Sequence, residues 1–307
     1  MNIPHVHISP VVGYTMGSIV AFLALASVAS FIAQRIWPDK FPKEIAARLK
    51  GWWIMVAVFT TALLLSRNVS IAFFGFVSFL ALKEFFSLIP TRRADRRVLF
   101  WAYLAVPLQY YWISIEWYGM FVLFIPVYMF LLIPMRMISI GETAGFLRAV
   151  GTTHWGLMTM VFCLSHVAYL MVMGGPALLL FLVILTQAND VAQYVWGKSF
   201  GKTKIVPTVS PNKTAIGMLG GAATTGVLSW LLAPLLTPMA PLEALGVGIA
   251  LGFFGFCGDA TMAALKRDLG VKDFSDAIPG HGGIVDRVNS LIFTAPLFLH
   301  FMRFYHF

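Results

Sequence analysis

Ten mostly apolar stretches alternate along the chain with short polar segments, at roughly 11–34, 51–66, 69–90, 99–115, 118–136, 154–173, 175–196, 216–236, 241–265 and 289–306. Most approach the ~20 residues that an α-helix needs to cross a bilayer core of about 30 Å. The pattern predicts an all-α polytopic membrane bundle of eight to ten transmembrane helices, the second stretch being short and the two end stretches open to either reading. The opening residues, MNIPHVHISP, lack the basic region of a cleavable signal, so the first stretch is expected to be a retained span.

Charge placement sharpens this picture. If both termini lie outside, the inward segments near 35–50, 92–97, 136–148, 198–213 and 266–287 together hold 19 of the 22 Lys and Arg residues. The exceptions are Arg67, Lys83 and Arg303. That asymmetry is the positive-inside pattern of membrane proteins. Composition agrees: of 307 residues, 59% are hydrophobic and 11% charged, with a mean hydropathy of +0.82. Soluble domains carry about 25% charged residues, so a soluble globule is excluded. The net charge of +9 is spread in short clusters between apolar stretches. It therefore points to the lipid bilayer and to anionic lipid or nucleotide phosphate, and no nucleic acid is expected as a partner. Cys163 and Cys257 both lie in apolar stretches and read as packing residues. Short outward segments and the lack of an organellar transit signal predict a bacterial inner (plasma) membrane, with the active site facing the cytoplasm.

Acidic residues are few, and their distribution locates the chemistry. Five of the thirteen, Asp259, Asp268, Asp273, Asp276 and Asp286, fall within 28 residues near the C-terminus, interleaved with Lys266, Arg267, Lys272, His281 and Arg287. Carboxylates hold divalent metal that bridges to substrate phosphates. Lys and Arg neutralise phosphate oxygens, and a glycine-rich turn such as Gly280–Gly283 lets backbone amides approach an anion. Asp259 and Lys266, seven residues apart, share one helix face. An ionisable group in a spanning helix is a functional candidate because its burial is costly. Asp268 and Asp273 read as solvated loop residues.

The order Lys266-Arg267, Lys272-Asp273, Pro279-Gly280-His281-Gly282-Gly283, Asp286-Arg287 resembles the signature of the phosphatidate cytidylyltransferase (CDP-diacylglycerol synthase) family. Upstream, Asp190-Val191-Ala192-Gln193-Tyr194, Gly197-Lys198 and Ser210-Pro211-Asn212-Lys213-Thr214 resemble a second stretch of that family, with Gln193 in place of an alanine. The resemblance covers about 187–295. It divides the chain into N-terminal transmembrane helices, 1–150, and a C-terminal transmembrane catalytic region, 151–307. Lys83-Glu84 is a faint further echo, and a buried Lys–Glu pair bracing the bundle is the favoured reading there.

The resemblance implies a nucleotidyltransferase: CTP and phosphatidic acid give CDP-diacylglycerol and pyrophosphate, with Mg²⁺ as cofactor. Asp259 and Asp286 are then the expected metal ligands, joined by Asp190, and Lys213, Lys266 and Arg287 clamp phosphates. Ser210, Arg267, Gly282 and Gly283 complete the substrate-binding set. His281 either orients a phosphate or caps the glycine turn. Lys213, just before an apolar helix, is placed to meet phosphate near a helix N-terminus. A homodimer is also compatible with the resemblance.

Four positions depart from the family pattern. Ile216 stands where the family has Glu, Met262 and Ala263 where it has Glu-Ser, and Asn289 where it has Asp. Met and Ala offer no oxygen ligand, and Asn289 offers an uncharged carbonyl. Two alternatives follow. One is a divergent paralogue acting on another lipid phosphate or on an isoprenoid alcohol. The other is a non-enzymatic lipid-binding or transport protein on the same scaffold, although no internal repeat of the transporter kind is visible.

Overall fold

The computed structural model describes residues 10–36, 43–89, 96–278 and 282–307. The chain folds as an all-α membrane bundle. Its helices are α1 (Pro10–Ile36), α2 (Lys43–Leu65), α3 (Arg67–Leu88), α4 (Arg96–Ser114), α5 (Tyr118–Ile138), α6 (Phe146–Phe200), α7 (Ala215–Leu236), α8 (Pro241–Asp268), the short α9 (Ile284–Val288) and α10 (Leu291–Tyr305). Each apolar stretch of the sequence coincides with one of these helices, 154–173 and 175–196 sharing α6. Among the described residues six helices, α1, α3, α5, α6, α7 and α8, are long and apolar enough to cross a membrane.

The 55 residues of α6 would extend about 80 Å as one rod, far beyond a single crossing of the ~30 Å core. Gly175 breaks the rod. Its backbone (φ 74°, ψ −173°) lies in a region open essentially to glycine alone. Pro176 follows, suited to the first turn of a new helix. The segment thus forms two arms, 146–174 and 176–200, each long enough for one crossing. The boundary at residue 150 suggested by the resemblance falls inside the first arm.

Elsewhere the helix starts follow their capping chemistry. The Ser66 hydroxyl accepts from the Val69 amide, and the Thr214 hydroxyl from the Gly217 amide at 3.0 Å. Pro241 opens α8, and the Glu243 carboxylate accepts from the Ala240 amide at 3.0 Å.

The second arm of α6, together with α7, α8 and α10, forms the tightly packed half of the bundle, against which α3 also rests. Small residues set the approach of these helices, as is usual in membranes where apolar contact with lipid is equally favourable. A methyl at Gly252 would meet the Ala222 backbone at 2.6 Å. One at Gly248 would strike Ser229 and stand 2.7 Å from the Thr225 carbonyl. Asn189, fully buried, ties the three helices polar-to-polar: it donates to the Gly252 carbonyl (3.1 Å) and accepts from the Thr225 hydroxyl (3.2 Å). Because backbone cannot yield there, Gly248→Ala is expected to cost about 1–3 kcal/mol, read as a lower unfolding midpoint in detergent. By contrast, α1 leaves Phe22 and Leu25 exposed, as a lipid-facing helix does.

Candidate active site

One end of the bundle gathers the C-terminal end of α6, the start of α7, the last turns of α8, the loop 201–214 and residues 269–278 and 282–283. Loop 201–214 folds back on itself. The Ile205 amide donates to the Lys213 carbonyl (3.2 Å), and the Ala215 amide to the Thr203 carbonyl (3.0 Å). Arg267, at the end of α8, donates through Nε to the Val209 carbonyl (3.1 Å) and pins the loop to that helix. Lys213 therefore sits one residue before Thr214, the cap of α7.

Asp259 is the hub of the cluster. Its Oδ2 pairs with Lys213 Nζ, and its Oδ1 accepts from Asn289 Nδ2 at 2.9 Å. Its side chain is 39% exposed, against 12% for Lys213, whose ammonium also lies over the Phe256 ring at 4.7 Å. Asp190, half-buried on the second arm of α6, accepts from the Ser290 hydroxyl at 3.1 Å. A cavity of about 200 Å³ opens against these groups. Asp190, Ser210, Lys213 and Asp259 all line it, with Gln193, Asn212, Thr214 and Phe256. Four of the site residues anticipated from the sequence thus share one cavity. The Gln193 Nε2 is shut off from solvent and has no hydrogen-bond partner among the described residues.

Asp286 is occupied differently from the expectation that it ligates metal. Only 4% of its side chain is exposed. Oδ1 pairs with Lys266 at 2.7 Å, while Oδ2 accepts from the Phe274 amide (2.9 Å) and the Gly283 amide (3.0 Å). Three donors engage this carboxylate, so it anchors the loop between α8 and α9. Lys266, expected to clamp phosphate, is the counter-ion of that anchor. Asp259 and Lys266 share a face as the spacing predicts, yet each takes its partner from another segment.

The glycines have steric reasons. Gly282 has φ +77°, and a methyl there would stand 2.8 Å from Asp286 Oδ2. A methyl on Gly283 would lie 2.6 Å from Glu84 Oε2. Glu84, on α3, reaches this turn from another part of the chain. Its carboxylate accepts from the Ile284 amide (2.9 Å), the Val285 amide (2.9 Å) and the Ser275 hydroxyl (2.6 Å). It does not brace the bundle through Lys83, which is exposed. The Gly283, Ile284 and Val285 amides are thus engaged by the chain's own carboxylates. His281 lies outside the described residues.

Arg287, half-buried on α9, faces Asp286, Asp190, Asp259 and Asp273. Burial draws its pKa below the usual guanidinium value, and those carboxylates oppose the shift. Its Nε has no hydrogen-bond partner among the described residues. Of the departing positions, Asn289 stands closest to the hub. Its amide group donates to Asp259, and its carbonyl accepts from the Ser290 amide at 2.7 Å. That carbonyl thus has its neighbour's amide as one partner. Met262 is a core residue at 1% exposure, and Ile216 faces outward.

Mg²⁺ needs only one or two protein carboxylates when substrate phosphates and water supply its other ligands. Among the described residues no group of three His, Cys, Asp or Glu side chains forms a metal cage. Asp259 and Asp190 on one cavity wall meet the smaller requirement.

Comparison with known proteins gives the family. The chain is 42% identical over 297 residues to the uncharacterized protein YnbB of Escherichia coli, covering 94% of this chain and 98% of that protein. It is 35% identical over 162 residues to the phosphatidate cytidylyltransferase of Staphylococcus aureus, covering 47% of this chain and 59% of that enzyme. The corresponding enzyme of Staphylococcus epidermidis is 36% identical over 158 residues. The chain therefore spans somewhat over half the length of these two enzymes. The model of the cytidylyltransferase family matches residues 46–305, so the chain, an integral membrane protein, belongs to the cytidylyltransferase family.

Proposed function

We propose that the protein transfers the cytidylyl group of CTP to phosphatidic acid, giving CDP-diacylglycerol and pyrophosphate at the inner face of a bacterial plasma membrane. The observation that carries this reading is the convergence of Asp190, Ser210, Lys213 and Asp259 on one cavity at the Lys/Arg-rich end of a membrane bundle. The Lys/Arg-rich end is the cytoplasmic one under the positive-inside rule. CTP reaches it from water, and a lipid phosphate reaches it at headgroup depth.

A phosphate oxygen of the lipid attacks the α-phosphorus of CTP. The bond from that phosphorus to the bridging oxygen breaks, and pyrophosphate leaves with the electron pair. A phosphomonoester is already anionic near neutral pH, so the chain need supply no general base. Lys213 exchanges its contact with Asp259 for a phosphate oxygen, and Arg287 neutralises charge on the same group. Ser210 and Asn212 donate hydrogen bonds across the cavity mouth. Asp259 and Asp190 would hold Mg²⁺, which when bound polarises phosphate oxygens and stabilises the leaving group.

The Asn289–Asp259 hydrogen bond favours a second reading in which the acceptor differs. A neutral donor in place of a carboxylate lowers the negative charge around Asp259, which suits another lipid phosphate or an isoprenoid alcohol. Radiolabelled CTP turnover by the purified, detergent-solubilised protein with phosphatidic acid and Mg²⁺ tests the first reading. Labelled CDP-diacylglycerol is the expected product. A silent wild type beside an active phosphatidate cytidylyltransferase in the same assay overturns that reading, and mass spectrometry of products from other acceptors then tests the second.

A further inference from the structure

Glu84 lies on α3, outside the 187–295 stretch, with Lys83 as the one other charged residue in its part of a mostly apolar helix. A carboxylate at such a position is costly unless hydrogen bonds satisfy it. Among the described residues no Lys or Arg pairs with it. Instead it takes two backbone amides at the start of α9 and the hydroxyl of Ser275, residues some 190–200 positions away. Asp286 bonds the Phe274 and Gly283 amides in the same way. Two carboxylates therefore hold both ends of the loop 275–284, one from within the loop's own region and one from α3.

We propose that Glu84 is a positioning residue of the active site, acting through Arg287. By fixing the first two amides of α9 it sets the orientation of that five-residue helix. With it go the guanidinium of Arg287, three residues into the helix from Ile284, and Asn289, which contacts Asp259 just beyond its end. Charge-assisted hydrogen bonds to backbone amides suit this role, since they are short and directional. The helix itself, at five residues, has too few internal bonds to hold its own place. The inference rests on the proposed cytidylyl transfer in giving Arg287 a phosphate to meet.

A double-mutant cycle tests it. Glu84→Ala, Glu84→Gln, Arg287→Ala and Glu84→Ala/Arg287→Ala are compared with wild type for kcat and for KM toward CTP and toward the lipid phosphate, with unfolding midpoints measured alongside. Glu84→Gln keeps one acceptor oxygen and the packing, and carries the test if the alanine variant fails to fold, through its own cycle with Arg287→Ala. The expected result is a loss in kcat/KM of about tenfold or more on changing Glu84, absent or nearly so once Arg287 is already alanine. Additive losses, or Glu84 variants with wild-type kinetics, overturn the inference. A lowered midpoint with wild-type constants also overturns it, because that is the signature of bracing alone. A wild type without turnover sinks the functional reading separately. The same cycle read as dissociation constants for Mg²⁺·CTP then still decides on Glu84.

Discussion

Asp259→Ala is expected to abolish cytidylyl transfer, lowering turnover by about 10²–10³ or more. Asp259 is the most exposed carboxylate of the cluster with partners on both oxygens, and it faces the cavity shared by Lys213 and Asp190. Its removal takes away the oxygen proposed to bind metal and leaves Lys213 half-buried without its partner. Asp259→Asn separates the two effects. It keeps the shape and one acceptor oxygen but removes the charge, so its fold should survive while turnover stays lost. Measured by labelled product formation, near-normal turnover in Asp259→Asn would sink the metal-binding role.

Asp286→Ala is expected to act first on stability, by about 3–5 kcal/mol, the cost of breaking a buried ion pair from one side. Lys266 would be left with an unpaired charge, and the Phe274 and Gly283 amides would lose their acceptor. Adding Lys266→Met to Asp286→Ala should recover part of the loss, because it removes the stranded ammonium. Denaturant unfolding of the wild type and the two variants in detergent checks this. An unchanged midpoint with lost activity would instead return Asp286 to the metal-binding role that its sequence context suggests.

The bundle was legible because each span carries its own signal: some twenty apolar residues bounded by charge need no tertiary information. The glycine and proline that divide α6 fall where two apolar stretches meet, so even that break was visible. Asp190, Lys213 and Asp259 were legible as candidates because ionisable groups near the ends of apolar stretches are rare. Their convergence was not, since helical spacing relates residues on one helix and says nothing about which helices meet. Spacing placed Asp259 and Lys266 on one face, whereas the fold gives them to Lys213 and Asp286. Glu84 was assigned to the adjacent Lys83, although neighbours i and i+1 on a helix point in different directions. Two of its three partners are backbone amides, which leave no trace in side-chain chemistry. The π-helical turns at Phe124–Met129 and Leu157–Cys163 likewise have no local sequence signal.

The break at Gly175 makes the second arm of α6 a ruler. Asp190 lies fourteen residues beyond Pro176, about 21 Å along the axis, so its depth and heading are counted out from a fixed stop. One residue inserted between them would advance Asp190 by about 1.5 Å and swing it by roughly 100°, away from Ser290 and the cavity. Four inserted residues would restore its heading to within roughly 40° while carrying it about 6 Å further along the axis. The count of residues from Pro176 to Asp190 thus decides whether this carboxylate meets the cavity at all.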